Sequence, residues 1–327
     1  MAIIPASQYP GQITPASTGY PYGSARDVSS PGAGDGTPVN QAWVNDSWGF
    51  LQRLLQEGGV TPSGSPDTVV SSDYFNALEI WVRSQSNGVV GDSRNIVMSV
   101  PTPATSATLT ADQVVVAESL TGKQYRVNNV SKTINLGTTG AGGMDTGAAP
   151  NPGFVAIYLI YNPATDASAL LATNATSSVA STVYAGANMP SGYTASALVS
   201  VWRTFSGTLA PGLQQDRKVI GDALIIVTSS VNVSTLTPVV ASGAVPPNAK
   251  SISGYGTVNS VEAAANNFFR LASSSLGLGS KLFGTNNSGI QISFENLLMA
   301  TPQTIYYGVT FGGTPNSASI TCTGYTI

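Results

Sequence analysis

Hydrophobic residues early in the chain recur with the period of an α-helix. The apolar face comprises Trp43, Val44, Trp48, Phe50, Leu51, Leu54 and Leu55. This spacing of three and four residues predicts an amphipathic helix. Thr37 is the expected N-cap, Pro38 suits the first helical position, and Gly58 with Gly59 marks the C-terminal end.

A second helical pattern follows a turn at residues 61–66. It begins near Ser71 or Ser72 and ends at Gly88, and its apolar face comprises Phe75, Leu78, Trp81 and Val82. About five large apolar side chains per helix contribute at most about 15 kcal/mol when buried, whereas ordering about twenty backbone residues costs about 20–40 kcal/mol. An isolated hairpin is therefore marginal. We expect its faces to pack against other copies of the chain or a mounting partner, and packing on the later β region is the alternative.

From residue 96 onward the hydrophobic period changes to two, which is typical of β-strands. The strands predicted for a first module lie at residues 96–98, 113–116, 125–127, 133–136, 154–161, 168–173 and 197–202. Those predicted for a second module lie at residues 223–228, 250–258, 267–272, 290–294, 304–311 and 317–327. Many short strands joined by turns rich in Gly, Asn, Ser and Pro indicate β-sandwich or jelly-roll modules.

These patterns divide the chain into four regions. Residues 1–37 have many prolines, glycines and serines and no hydrophobic period, which predicts an extended arm that is ordered only where it docks. Residues 38–95 form the helical region, residues 96–220 a β module, and residues 221–327 a C-terminal β-sandwich. The expected class is mainly β: an N-terminal extended arm and a helical hairpin followed by two β-sandwich-like or jelly-roll-like modules.

The scarcity of charged and reactive side chains narrows the expected function. The 327 residues include no histidine, one cysteine and 9% charged residues, against about 25% charged in an average globular protein. The net charge is -3 without a basic stripe, so we expect no nucleic acid binding. No signal peptide is expected, and no apolar stretch reaches the roughly 18 residues of a transmembrane helix, so we expect no membrane insertion. Cys322 is expected to be a small buried core residue.

Without histidine, Ser-His-Asp and Cys-His catalysis and the usual zinc and non-haem iron sites are excluded. Glycoside cleavage remains, because it needs only two carboxylates across a groove. The candidate carboxylates are Asp145, Asp166, Asp216, Asp222, Glu262 and Glu295. Nothing in the sequence pairs them, so we predict no catalytic residues, no metal and no cofactor, and a protein that is not an enzyme.

Surface recognition is the remaining class of activity. Aromatic residues of the C-terminal region and Trp202 are candidates for stacking on sugars, and core or intersubunit packing is the alternative for each ring. Loops vary freely on a rigid sandwich, so the predicted receptor-binding residues are Asn286, Asn287 and Asn316. The charged cluster at residues 214–218 is expected to be a solvated link between the β modules.

Three segments of the N-terminal part have the sequences DGTPVN at residues 35–40, WGFLQ at 48–52 and PSGSPD at 62–67. They resemble the virion-attachment region of the tail fibres of tailed bacteriophages. The later similar segments are LLATNAT at 170–176, ANMPSGY at 187–193, ALVSVW at 197–202 and TPQTIYY at 301–307. The chain departs from the family in lacking a long repetitive shaft, which suggests a short fibre or one piece of a larger assembly.

The resemblance implies a homotrimeric virion component, synthesised in the host cytoplasm and attached to tail-tip or baseplate proteins through its N-terminal region. The residues expected to provide attachment and trimer packing are Trp43, Trp48, Leu51, Leu55, Phe75 and Trp81. The C-terminal β domain would bind a host surface glycan or pilus, with avidity from several copies. A purely structural baseplate or connector component is one alternative, and a capsule or glycan depolymerase is another.

Overall fold

The computed structural model describes residues 4–18, 20–84, 88–263 and 265–327. With 46% strand and 10% helix, it confirms the mainly β class. The chain divides into two compact units, with the boundary between residues 85 and 86. In the described ranges, no helix has both the length and the apolar character needed to cross a membrane.

The first unit contains two longer helices preceded by small elements. α1 spans Pro5–Gln8 and is followed by a short antiparallel pair, β1 at Ile13–Thr14 and β2 at Ser24–Ala25. α2 spans Gln41–Gly58 and α3 spans Asp73–Ser84. The helical hairpin predicted from the hydrophobic period is therefore present.

The segment predicted to be an extended arm instead folds back on itself. The buried Tyr9 donates its hydroxyl hydrogen to Asn40 Oδ1 over 2.8 Å. The Arg26 guanidinium donates to the carbonyl oxygens of Gly11 and Asp35, both over 2.7 Å. Hydrogen bonds from side chains to the main chain and to another side chain thus hold a segment that has little apolar surface to bury.

The first helix begins three residues later than predicted. Asn40 is its N-cap, because its Oδ1 accepts a hydrogen bond from the backbone N–H of Trp43 over 3.2 Å. Thr37 is not the cap, since its hydroxyl donates to the carbonyl oxygen of Gln12. The predicted end is confirmed: Gly59 follows the helix in the left-handed region with φ of 66°.

The second helix begins where the sequence predicts. Ser72 Oγ accepts a hydrogen bond from the backbone N–H of Phe75 over 2.9 Å, and the Asp67 carboxylate accepts one from the N–H of Asp73. The expected end at Gly88 cannot be compared directly, because α3 is described to Ser84 and residues 85–87 lie outside the described part.

The second unit is built from antiparallel strands. Its N-terminal strands are β3 (Ser93–Arg94), β4 (Val97–Val100), β5 (Ser106–Ala117), β6 (Gln124–Asn135), β7 (Gly153–Asn162), β8 (Ala167–Asn174), β9 (Ala195–Phe205), β10 (Thr208–Leu209) and β11 (Gly212–Gln215). Its later strands are β12 (Lys218–Ser229), β13 (Val233–Val240), β14 (Ser251–Ser260), β15 (Asn267–Ala272), β16 (Lys281–Thr285), β17 (Gly289–Leu298), β18 (Thr304–Thr310) and β19 (Pro315–Thr326).

The strands form one long sheet and one short sheet. The long sheet has the order β17-β14-β19-β12-β11-β4-β5-β9-β7-β8, with β3 and β6 pairing with β5 and β10 with β9. The short sheet has the order β13-β18-β15-β16. The Phe269 ring of β15 lies over Gly256 of β14, where an added Cβ would be 2.6 Å from the ring. The short sheet therefore packs on the β17-β14-β19 end of the long sheet as a β-sandwich.

Strand β7 is buried on both faces, which explains its uninterrupted apolar sequence. Ile157 and Leu159 face the main core, whereas Tyr158 and Ile160 belong to a second apolar cluster with Tyr184. The Tyr158 and Tyr184 rings meet edge to face with centroids 5.5 Å apart. The connection between β8 and β9 therefore covers the face of β7 that would otherwise meet solvent.

The predicted boundary between two β modules, at residues 220 and 221, falls inside β12. This strand pairs with β11 on one side and β19 on the other. The Tyr325 hydroxyl donates to the carbonyl oxygen of Val201 over 2.6 Å, and Asn248 exchanges two 2.8 Å hydrogen bonds with the backbone of Ala180. The two predicted modules therefore share a sheet and a core in the structure.

Two strands of the short sheet, β13 and β16, were not predicted from the sequence. β13 is an edge strand that contains Pro238, and proline weakens the strand signal although edge strands tolerate it. β16 is the opposite edge, has five residues and contains Gly284. Each of the two strands pairs with one internal strand, β13 with β18 and β16 with β15.

Candidate functional site

Three loops meet at one end of the β-sandwich, and we call them the sandwich-end loops: residues 260–267, 285–289 and 311–317, with residue 264 outside the described part. Two of them carry the predicted receptor-binding residues. Gly289 of β17 and Ser317 of β19 flank Asn259 of β14 in register. Because neighbouring strands lie about 4.8 Å apart, the two strand ends are separated by about 10 Å.

Asn267 joins the sandwich-end loops through its buried side chain. Its Oδ1 accepts hydrogen bonds from Ser260 Oγ over 2.5 Å and from the backbone N–H of Gly312 over 3.1 Å. Its Nδ2 donates to the carbonyl oxygens of Asn287 and Ser288 over 2.9 Å and 3.4 Å. One amide thus satisfies groups from all three loops, and it fixes their spacing.

Glu262 holds the loop at residues 311–317. Its carboxylate accepts hydrogen bonds from the backbone N–H and the hydroxyl of Thr314, both over 2.7 Å. The hydrogen bond from the Thr314 side chain is the largest cause that lowers the pKa of Glu262 from its ordinary value. Glu262 therefore fixes a loop, a role different from the catalytic one considered from the sequence.

The three predicted asparagines lie together on this end, and all of them are exposed. Asn286 and Asn287 occupy the turn between β16 and β17, and Asn316 lies at the start of β19. Glu262 is the only charged residue in the sandwich-end loops. Their surface therefore offers amide and hydroxyl groups on a rigid base, which suits a neutral, polar ligand.

Sequence reasoning missed Asn267 as a residue that shapes this site. The strand at residues 267–272 was predicted, but no role was predicted for Asn267, its first residue. The available signal was the alternation of this strand: Asn267, Phe269 and Leu271 face inward, and an inward asparagine needs several hydrogen-bond partners. The hydrogen-bond partners of Asn267 come from separate loops, so the sequence near Asn267 does not identify them.

The residues predicted to provide attachment are divided by the structure into a buried and an exposed group. Leu55 is buried and Leu51 is half-buried in α2. The exposed members are Trp43, Trp48, Phe75 and Trp81. α2 and α3 contact each other closely at Gly58 and Ala77, where an added Cβ on Gly58 would be 2.6 Å from Ala77 Cα. This contact leaves the largest side chains of both helices at the surface.

Five of the six candidate carboxylates make local contacts in the second unit. Asp145 accepts a hydrogen bond from Tyr184, Asp166 from Tyr161, and Asp216 from the backbone N–H of Ile96. Burial, followed by the bond to Asp145, raises the pKa of Tyr184 to about 12.

The other three carboxylates lie elsewhere in the second unit. Glu262 bonds Thr314, Glu295 lies 3.5 Å from Lys218 Nζ, and Asp222 is exposed on β12. Within the described residues, no group of three or more Asp, Glu, His or Cys side chains could hold a metal ion.

The charged cluster at residues 214–218 is not the solvated link that the sequence suggested. Gln214 is fully buried, and its Nε2 donates to the carbonyl oxygens of Val199 and Asp216, both over 2.8 Å. The Arg217 guanidinium donates to the carbonyl oxygens of Leu198 and Gly91. Desolvation lowers the pKa of Arg217. The cluster is a tight turn between β11 and β12 that supports the backbone of β9.

Trp202, which was a candidate for stacking on sugars, and Cys322 are both core residues in the structure. Trp202 is buried and donates its indole N–H to the carbonyl oxygen of Ala210 over 2.9 Å. Cys322 is buried, as predicted, and burial raises the pKa of its thiol to about 11. Neither side chain is available to a ligand.

No protein-family model matches the chain, and no curated protein matches it either.

Proposed function

We propose that the chain is a tail fibre of a tailed bacteriophage that acts by recognition and not by catalysis. Its helical unit would associate with two other copies and with tail-tip or baseplate proteins. Its C-terminal β-sandwich would bind a glycan or pilus on the host surface. Binding by several copies would turn weak single contacts into firm adsorption.

The exposure of large apolar side chains on α2 and α3 carries the proposal. Trp48 is 59% exposed, Phe50 69% and Phe75 68%. Fully burying one such side chain contributes about 1.5–3 kcal/mol, so leaving several in water forgoes much of the stability available to a small helical unit. Association with sister chains or a tail scaffold would recover it. This agrees with the attachment role that the resemblance implies.

The sandwich-end loops support the receptor-binding part of the proposal. Asn286, Asn287 and Asn316 project from loops that Asn267 and Glu262 hold in place. Their donors and acceptors are therefore presented without a large ordering cost on binding. A low-charge surface of this kind hydrogen-bonds sugar hydroxyls or protein main chain while attracting few charged competitors.

The mass of the full-length protein in solution tests association. We expect the mass of three chains, and we expect the double variant Trp48→Glu with Phe75→Glu to lower it. Leu276→Glu is the matched control, because this exposed apolar side chain lies in the β unit. A wild-type monomer would contradict the proposed trimer.

Host adsorption of the full-length protein tests recognition. Replacing Asn286, Asn287 and Asn316 together by alanine should reduce cell binding by at least about tenfold, because each lost hydrogen bond contributes about 0.5–1.5 kcal/mol. The exposed Asn188→Ala is the control. A trimer that binds no host cells would favour the structural connector instead, and release of oligosaccharides from host polysaccharide would favour the depolymerase.

A further inference from the structure

The outer face of the short sheet carries a groove that the preceding proposal does not use. Register places Phe268 of β15 between Gly284 of β16 and Thr310 of β18. Arg270 is the next residue of β15 on this outer face, and it lies between Leu282 and Gly308. The groove is lined by Ser234, Leu236, Phe268, Arg270, Leu282 and Thr310.

Glycines open the floor of this groove. A Cβ on Gly308 would lie 3.1 Å from the carbonyl oxygen of Val233, and about 4.0 Å from both Arg270 Cβ and Leu236 Cδ2. A Cβ on Gly284 would lie 2.8 Å from the Phe268 ring. The missing side chain of Gly308 leaves a depression between Arg270 and Leu236, and the Phe268 ring packs over Gly284 beside it.

Arg270 is held in place, and among the described residues no carboxylate forms an ion pair with it. Its Nε donates to Ser280 Oγ over 2.7 Å, and its guanidinium lies against Gly277 in the loop between β15 and β16. Arg270 takes no part in the ion pairs of Arg26 with Asp35, Arg53 with Glu57 and Lys218 with Glu295. Within the described residues the hydrogen bond of the Arg270 guanidinium uses Nε, so its terminal nitrogens can make a bidentate bond to a planar anion.

We infer that this groove binds a carboxylate-bearing sugar residue, such as a uronic acid, of a host surface glycan. The inference rests on the proposed receptor-binding function and names a ligand class for a second face of the same sandwich. The Arg270 guanidinium would hold the carboxylate, and the exposed Phe268 ring would pack on the apolar face of the sugar ring. Ser234 and Thr310 would hydrogen-bond its hydroxyl groups.

Two features favour this ligand over other anions and over a peptide. The groove supplies one cation, which matches a single negative charge better than a phosphate monoester with a charge of about −1.5 to −2. β15 and β18 are hydrogen-bonded on both sides, so a peptide cannot add as a further strand there. Recognition must use side chains, and an aromatic ring beside a guanidinium fits an acidic sugar.

Titration of the full-length protein with methyl glucuronide and with the neutral methyl glucoside tests the inference. We expect saturable binding of the glucuronide and weaker binding of the glucoside. Arg270→Gln should reduce glucuronide affinity at least about tenfold, since a hydrogen bond to a charged group contributes more than a neutral one. It should leave glucoside binding unchanged, and Phe268→Ala should weaken both.

Arg126→Gln is the matched control, because Arg126 is an exposed strand arginine on β6, outside the groove. Thermal unfolding of each variant shows whether it is folded, and Arg270→Lys, which keeps the charge, should retain part of the affinity. The inference is wrong if the wild type does not bind glucuronide. It is also wrong if Arg126→Gln lowers the affinity for glucuronide as much as Arg270→Gln does. Equally tight binding of an aspartate peptide would overturn the assignment to a glycan.

Host-cell adsorption separates this inference from the proposed function. If the wild type adsorbs to cells but does not bind glucuronide, the groove assignment fails and the receptor-binding function stands. If it binds glucuronide but does not adsorb to cells, the groove assignment stands and the receptor-binding function fails.

Discussion

The two units of the molecule differ in how far they bury their tryptophan side chains. Trp202 in the β unit is 1% exposed, whereas Trp43, Trp48 and Trp81 in the helical unit are 39%, 59% and 39% exposed. The β unit closes its core with its own strands and connections. The helical unit joins two amphipathic helices through small residues and leaves its largest side chains at the surface. The same residue type thus packs inside one unit and lies at the surface of the other.

Replacing one tryptophan in each unit by alanine should have the largest effect and tests this difference between the units directly. Trp202→Ala should lower the free energy of unfolding of the β unit by about 3–5 kcal/mol, because it opens a cavity and removes the hydrogen bond to Ala210. Trp48→Ala should leave that free energy nearly unchanged and lower the mass in solution. Denaturant unfolding and mass measurement check the two outcomes, and equal destabilisation by both variants would contradict the comparison.

Asn267 tests whether the β unit holds its own loops. Asn267→Ala leaves Ser260 Oγ and the Gly312 N–H without their acceptor, which should cost about 1–3 kcal/mol of unfolding free energy. Hydrogen exchange of Gly312 should accelerate by a larger factor than that of the central strands. The exposed neighbour variant Asn266→Ala is the control and should leave this exchange unchanged.

Gly58 tests the close contact between α2 and α3 at Gly58 and Ala77. Gly58→Ala places a methyl group 2.6 Å from Ala77 Cα, which should cost about 1–3 kcal/mol of hairpin stability. Gly49 lies in the same helix with open space around it, so Gly49→Ala should stabilise α2 by up to about 1 kcal/mol. Circular dichroism during heating measures both, and parallel effects would refute the contact.

The smallest effect is expected from the pH dependence of Glu262. Its pKa is lowered from 4.5 in the folded protein by the hydrogen bond from Thr314, so its contribution to stability is present above 4.5 and is lost as the pH falls through the lower folded value. The Thr314 amide resonance should therefore shift over that range in the wild type. Glu262→Gln should abolish the shift, and a shift that persists would assign it to another group.

Hydrophobic periodicity predicted the elements whose signal is local. The period of α2 and its Gly58–Gly59 end, the start of α3 at Ser72 and the long alternating strands are all observed. The prediction of Thr37 as the N-cap was wrong because its hydroxyl donates a hydrogen bond to the carbonyl oxygen of Gln12 in the preceding segment. Asn40, three residues later, is an equally good N-cap. The predicted asparagines lie at one end of the sandwich, but the residue that joins their loops was not foreseen.

The sequence by itself determined the mainly β class, the helical hairpin, the buried Cys322 and the absence of histidine chemistry, because residue composition and short-range period encode these properties. Only the tertiary structure decided that β12 joins the two predicted modules, that Gln214 is buried and Arg217 half-buried, and that Asn267 and Arg270 shape surfaces. These facts depend on contacts between residues far apart in the chain. A local pattern carries no record of which distant backbone groups will meet a side chain once the sheets have closed.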